Sequence, residues 1–380
     1  MENKGSKHFN GNIPGLYIHV PFCLSKCPYC DFCSITSLSL IPYWLEGVLE
    51  ELHIYKDRFS TFDTLYMGGG TPSLLKPKQL SAIIDFAARN FEFSTEIEIT
   101  IEANPDDVTP ERLKCYRDAG INRISLGAQS FDDRELEYLK RRHTARQTEK
   151  ALECIRAAGF GNVGIDLMYG FEGQTEEAWI GTMKKALDFR PEHLSCYQMT
   201  YSPGTPFGNM LAQGRITRMG EEEERAFFLL ASRFLEEHGY IHYEVSNFAG
   251  GEEYVSRHNR KYWRHVPYLG IGPGAHSFHE GRRWWNIESV EEYCRILSNG
   301  YPPVEESETL SKEQEDLEML YLGFRTMDGV DPGLVDKRHQ SKKIIGELTA
   351  SGLVKVDAGR IIPTPEGFLV ADGLPLLFSN

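Results

Sequence analysis

Short apolar, β-branched runs recur through the first half of the chain: LYIHV from Leu16, TLYMG from Thr64, IEITIEA from Ile97, RISLGA from Arg123, VGIDLMYG from Val163 and HLSCYQMT from His193. Between them, YWLEGVLEELHIY, PKQLSAIIDFAARNF, PERLKCYRDAGI and ARQTEKALECIRAAGF carry apolar residues at three-to-four spacing. The first pattern predicts strands and the second amphipathic helices. Six strand-helix units predict a parallel α/β sheet with right-handed crossovers, either doubly wound or curled into a barrel. Six are too few to close an eight-fold barrel. Beyond Leu310 the character changes. SKEQEDLEMLYLGFRTM predicts a helix with an apolar face, and SKKIIGELTASGLVKV with GRIIPTPEGFLVADG predicts a helix and a small hairpin, a winged-helix-like α+β outline. EEEERAFFLLASRFLEEHGY, from Glu221, predicts a solvated amphipathic helix joining the two parts. The organisation expected is a barrel over residues 1–215, an extension of it over 216–305 and the winged-helix-like region over 306–380.

The sharpest chemical feature follows the first strand. Cys23, Cys27 and Cys30 stand in a C-x-x-x-C-x-x-C spacing, with Tyr29 and Phe32 flanking the third thiol. Three thiolates on a 4Fe-4S cluster would leave one iron with an open coordination position, which suits binding and breaking a small molecule. A zinc site with Cys33 as fourth ligand, or a disulfide, are the other uses of such a spacing. Further polar residues fall at the C-terminal ends of the expected strands, where parallel α/β folds place their chemistry. Gly68, Gly69, Gly70 and Thr71 follow the second strand, Glu102 and Asn104 end the third, Gln129 ends the fourth and Asp166 lies in the fifth. The glycines allow close approach of backbone to a ligand. Glu102 and Asp166 can accept from an amine or from hydroxyls, and Gln129 and Arg141 can donate to a carboxylate. Singly, each is an ordinary strand-end cap, turn or surface ion pair.

Composition narrows the classes. The chain has 41 Lys and Arg against 55 Asp and Glu, a net charge of -14, which disfavours a general nucleic-acid or anionic-membrane surface. No apolar run approaches the length needed to span a bilayer, and the start, MENKGSKHFNGN, is polar without a signal-peptide core. A cytoplasmic protein is expected. The scattered Cys115, Cys154, Cys196 and Cys294 fit reduced thiols there.

The cysteine motif and the strand-end residues together resemble the radical S-adenosylmethionine superfamily, in its oxygen-independent coproporphyrinogen III oxidase-like branch. That resemblance implies an open six-stranded (β/α)6 partial barrel, Cys23, Cys27 and Cys30 as ligands of a 4Fe-4S cluster, and S-adenosylmethionine held by Tyr17, Tyr29, Gly69, Gly70, Thr71, Glu102, Gln129, Arg141 and Asp166. Tyr29 would pack on the adenine. Within the branch, three features resemble the HemW family of haem chaperones over the oxidases. Phe32 stands where the oxidase pattern has a fourth cysteine, only 22 residues precede Cys23, and RHNRKYW (Arg257 to Trp263) matches an H-N-x-x-Y-W motif, accompanied by the glycine-rich YLGIGPGAHSF. The resemblance implies haem as cargo, haem-accepting proteins, respiratory ones among them, as its destination, and a reductant for the cluster. An imidazole is a good haem ligand, so His258 is a haem contact to test, alongside His265, His276 and His279. The oxidase activity stays as the alternative, and a homodimer stays open.

Overall fold

The computed structural model describes residues 12–335 and 340–378; the polar start of the chain therefore lies outside the described residues. Strands β1 (Gly15–Val20), β2 (Thr61–Gly69), β3 (Glu92–Ala103), β4 (Arg123–Gln129), β5 (Val163–Tyr169) and β6 (His193–Gln198) run parallel in sequence order. The intervening crossovers carry α1 (Ile41–Tyr55), α2 (Pro77–Asn90), α3 (Pro110–Asp118), α4 (Asp133–Tyr138), α5 (Ala145–Ala157) and α6 (Glu176–Asp188). This is the open six-stranded α/β barrel expected. It does not stop at six: β7 (Ile241–Glu244) and β8 (Asn247–Ala249) extend it beyond β6, while β9 (Tyr268–Ile271), β10 (His276–His279), β11 (Arg282–Asn286) and β12 (Val304–Thr309) extend it beyond β1, giving one twelve-stranded sheet.

Period-two alternation decides what the curved sheet shows to each side. Leu16, Ile18 and Val20 of β1, Leu65 and Met67 of β2, Ile99 and Ile101 of β3, Ile124 and Leu126 of β4, Ile165 and Leu167 of β5 and Leu194 of β6 are buried in one continuous core with the helices. The alternate positions face the lumen and are mostly polar: Tyr66, Glu102, Arg123, Ser125, Gln129, Asp166, His193, Ser195 and Tyr197 line a single cavity of about 590 Å³. A closed core of Val and Ile would fill that space. Here polar side chains hold it open.

Helix α7 (Pro206–Ala212) follows β6, and α8 (Glu221–Glu237) buries Phe227, Phe228, Ala231 and Leu235 while its first turn presents four glutamates. Helix α9 (Arg257–Trp263) contains the H-N-x-x-Y-W motif, and α10 (Val290–Ser298) lies against α1. The C-terminal part, α11 (Lys312–Gly323), α12 (Ser341–Ala350), the hairpin β13 (Val354–Asp357) and β14 (Arg360–Pro363), and α13 (Pro365–Phe368), has its own core of Leu320, Phe324, Val330, Leu348, Val354, Ile361 and Phe378. Among the described residues, no helix is long and apolar enough to cross a membrane.

Candidate functional site

The cysteine loop hangs from the end of β1 and is pinned at its neck. Cys23 donates its N–H to the Ile35 carbonyl at 2.9 Å, Ile35 donates to the Pro21 carbonyl at 2.7 Å, and Phe22 is fully buried edge-on against Trp44. Gly70 completes the neck: its N–H donates to the Val20 carbonyl at 2.8 Å, and a Cβ there would stand 2.7 Å from the Phe22 carbonyl oxygen. Only glycine fits. Cys23, Cys27 and Cys30 all line the cavity, at its mouth, with Gly69, Gly70 and Thr71. Donors already face the sulfurs: Thr71 Oγ1 lies 3.5 Å from Cys23 Sγ and Arg141 Nη1 3.3 Å from Cys27 Sγ. Cys33 is turned away, its thiol directed to the Glu288 carbonyl at 3.4 Å. Among the described residues, no three His, Cys, Asp or Glu side chains converge as a site for a single metal ion.

Below the mouth, two carboxylates face the lumen. Glu102 accepts from the Tyr66 hydroxyl at 2.8 Å and from the Gly69 N–H at 3.1 Å. Burial outweighs these bonds and, with Asp166 nearby, pushes its carboxyl up to about 7. Asp166 accepts from Ser125 Oγ at 3.1 Å, and burial raises it too. Arg141 holds the rim together, donating to Asn104 Oδ1 at 2.6 Å and to the Gly127 carbonyl at 3.0 Å, with its Nε left unpartnered among the described residues. Gln129 ends β4 at φ 66°, a left-handed conformation that turns the strand end toward the mouth. Tyr29 packs on Phe207 and places its hydroxyl 3.5 Å from Arg141 Nη1.

A family model described as the Radical SAM superfamily matches residues 17–186. Heme chaperone HemW of Bacillus subtilis is 33% identical over 94% of this chain and 96% of its own length. Heme chaperone HemW of Mycobacterium tuberculosis is 33% identical over 98% of this chain and 97% of its own length. This chain belongs to the HemW family. The HemW relative of Escherichia coli, 35% identical, covers 70% of the chain. Among solved structures, the radical SAM enzyme coproporphyrinogen III oxidase (HemN) of Escherichia coli superposes with a TM-score of 0.82 over 97% of this chain and 90% of its own, at 23% identity. That likeness is one of fold.

Membership of the radical SAM superfamily implies a 4Fe-4S cluster and S-adenosylmethionine. The residues present fit both. Three thiols share one cavity wall with hydroxyl and guanidinium donors suited to thiolate sulfur, and the unpartnered Arg141 Nε, the Gly69–Gly70 backbone and the two carboxylates supply complementary groups for a zwitterion and its hydroxyls. Tyr17 stands apart from these: it is not among the residues lining the cavity, and its hydroxyl meets His19 Nδ1 at 3.0 Å.

The HemW motif is divided by the fold. His258 is 1% exposed, with Nδ1 2.8 Å from Thr64 Oγ1 and Nε2 2.8 Å from the Tyr262 hydroxyl, and its ring stacks on Tyr66 at 5.1 Å. Burial, with Lys261 and Arg123 nearby, pushes the imidazole down to about 3, so it is neutral. Both ring nitrogens are engaged inside the protein, and the imidazole reaches a ligand only by giving up one of these bonds. Asn259 lines the same cavity as the cysteines, whereas Trp263 lines a separate one with Arg264, Asp328 and Arg360. His265 meets Glu318 at 3.1 Å, and His276 and His279 lie on β10, away from the lumen. Sequence reasoning missed Tyr66, Arg123, Ser125, His193, Ser195 and Tyr197. The available signal was a polar residue at every second position of strands whose other face is wholly apolar.

Proposed function

We propose that this chain is a cytoplasmic haem chaperone: it carries a 4Fe-4S cluster on Cys23, Cys27 and Cys30, binds S-adenosylmethionine beside it, takes up haem and delivers it to acceptor proteins, respiratory ones among them. The observation that carries this reading is near full-length similarity to relatives named heme chaperone, joined to a lumen that Asn259 of the H-N-x-x-Y-W motif shares with the three thiols. When bound, the cluster and S-adenosylmethionine supply the superfamily's electron-transfer and cofactor-cleaving chemistry. The chain's own part is positional. Arg141 and Thr71 donate toward the thiolates, while Gly69, Gly70, Gln129, Glu102 and Asp166 orient the cofactor, and Tyr29 walls it on the Phe207 side. Phe32, 62% exposed on the cavity rim, offers an apolar edge where a cysteine would offer a ligand or a hydrogen donor.

In this reading residues 1–215 carry the cofactor chemistry, 216–305 close the lumen and bring in the motif, and 306–380 serve protein contact. A reductant for the cluster completes the partner set. The test is anaerobic reconstitution followed by two parallel assays. Stoichiometric haem retention and transfer to an apo-acceptor, without decarboxylation of coproporphyrinogen, is expected. Efficient decarboxylation together with haem retention no better than that of an unrelated protein would replace the reading with an oxidase.

A further inference from the structure

Beneath Glu102 and Asp166, the lumen ends among side chains with no task in the cofactor site. Arg123 opens β4 and His193 opens β6, at the end of the barrel opposite the cysteine loop. The lumen-facing residues from Arg123 to Gln129 span about 20 Å at about 3.3 Å per residue. Arg123 and His193 line the cavity yet are 1% and 0% exposed. Among the described residues, Arg123 Nε has no hydrogen-bond partner, and neither has His193 Nδ1, whose other ring nitrogen meets the Tyr243 hydroxyl at 2.7 Å. Glu98 and Asp166 stabilise the charge of Arg123 from nearby, but the hydrogen bonds they accept come from other groups. Glu98 accepts from the backbone N–H groups of Arg257 and His258, and Asp166 accepts from Ser125. The charge is compensated, but a buried N–H donor without an acceptor carries a cost that a guest in the cavity would relieve.

The register shows what could fill it. Gly164 of β5 pairs with Ser125 of β4 on one side and with His193 of β6 on the other, so the row has a gap where a side chain would stand. A Cβ at Gly164 would lie 3.4 Å from His193 Nδ1, 3.4 Å from Ser125 Oγ and 3.7 Å from Arg123 Nη2. Polar atoms of β4 and β6 therefore converge beside a backbone position that carries no side chain, and they line the cavity in front of it.

We propose that the cavity space in front of Gly164 is a carboxylate-binding subsite at the closed end of the lumen, built by Arg123, His193 and Ser125. A guanidinium matches a carboxylate in plane and charge, His193 donates from Nδ1 when Nε2 accepts from Tyr243, and the Ser125 hydroxyl can rotate from Asp166 to the guest. Asp166 sets the selectivity: one guanidinium beside an existing carboxylate leaves no room for a doubly charged guest, so the subsite favours a carboxylate over phosphate. The chemistry is shared by the propionate side chain of haem and by free small carboxylates. Only the first source rests on the haem reading.

The test uses the full-length, anaerobically reconstituted chain. Propionate, propionamide and phosphate are titrated with thermal unfolding as the readout, and haem is compared with its dimethyl ester by Soret absorbance. Propionate alone of the three should raise the unfolding temperature, and haem should bind about tenfold more tightly than the ester, the discrimination of one charge-assisted hydrogen-bonded pair. Gly164→Ala, whose methyl group intrudes on that space without removing a donor, and Arg123→Met should each abolish these differences. Gly164→Ala guards against a folding defect, since its added Cβ meets its neighbours at 3.4 Å or more, ordinary contact distance. A propionate effect with equal haem and ester binding upholds the subsite and assigns it to free carboxylates. A propionate effect in a chain that binds no haem upholds the subsite and removes the haem reading. Absence of both differences in the wild type, or their persistence in both variants, overturns the proposal.

Discussion

Cys33 and Cys30 are three residues apart, yet the fold gives them different surroundings. Cys30 lines the lumen with Cys23 and Cys27, whereas the Cys33 thiol is directed at the Glu288 carbonyl across the loop and its own carbonyl accepts from His19 Nε2 at 2.7 Å. Replacing Cys23, Cys27 or Cys30 by Ala should therefore abolish 4Fe-4S assembly, while Cys33→Ala should leave iron and sulfide nearly unchanged, as read by metal and sulfide analysis after anaerobic reconstitution. Equal loss from Cys33→Ala would return the zinc-like ligand set to consideration. A second residue-scale prediction concerns Tyr66, whose hydroxyl fixes one oxygen of Glu102 while its ring rests on His258. Tyr66→Phe keeps the ring and deletes the bond. The S-adenosylmethionine titration of the reduced cluster, followed by electron paramagnetic resonance, should shift to roughly threefold to tenfold weaker binding, the equivalent of one hydrogen bond worth about 1 kcal/mol. Circular dichroism should be unchanged, and an unmoved titration would separate Tyr66 from cofactor positioning.

Among the elements, the junction of α1 with the edge strands turns on one buried acid. Glu51 accepts from the Gly272 N–H at 2.9 Å, Asn286 Nδ2 at 2.6 Å and the Tyr293 hydroxyl at 2.7 Å, joining α1 to β11, to α10 and to the turn after β9. Burial pushes its carboxyl from 4.5 up to about 7 against the pull of those donors. A folded-state pKa above the unfolded one means that the folded chain holds the proton more tightly, so this group's contribution is fullest below pH 4.5 and declines as pH rises toward 7. The stability gap between wild type and Glu51→Gln, measured by urea unfolding, should accordingly narrow across that window. A gap that stays constant with pH would show that Glu51 does not titrate there. Glu51 also marks where sequence reading stops. The six parallel strands were legible because each carries a core face of Ile, Leu and Val, and the helices because their apolar stripes recur at helical spacing. β12, VEESET, has no apolar stripe and is held by its pairing to β11. A glutamate in the middle of α1 reads as a surface residue until the edge strands that bury it are placed. The cysteine motif was legible from its spacing and the strand-end positions from the strand pattern, with their cofactor roles implied only by the family resemblance, whereas the floor of the lumen was not legible, because Arg123 and His193 each stand at the edge of a run read as apolar.

For the molecule as a whole, the question is how the C-terminal region is coupled to the barrel. Most of its core is its own, but Phe368 of α13 packs into the barrel core beside His242, and a short segment adds hydrogen bonds across the junction. Val245 donates to the Arg325 carbonyl at 3.0 Å, Met327 donates to the Tyr243 carbonyl at 2.9 Å, and Asp328 takes Arg260 Nη2 at 2.7 Å and Arg264 Nε at 2.6 Å, both from the end of α9. Helix α9 carries Asn259 into the lumen, so this carboxylate ties the C-terminal region to the wall of the candidate site. Burial alone would raise Asp328; the hydrogen bonds from Arg264 and Arg260 overcome it and hold the carboxyl down at about 2. A depressed folded-state pKa contributes stability that is complete above the unfolded value of 3.8 and is lost as pH falls toward about 2. At neutral pH, Asp328→Asn should lower the unfolding free energy by on the order of 1–3 kcal/mol, because two arginines lose their charged acceptor. The loss should be local before it is global. Hydrogen exchange should quicken at Val245, Met327 and the last turn of α9, while β1 to β6 keep the protection of the wild type, because the barrel core does not depend on this contact. Uniform acceleration across the barrel strands would show instead that the two parts unfold as one unit and that Asp328 is an ordinary surface ion pair of the whole.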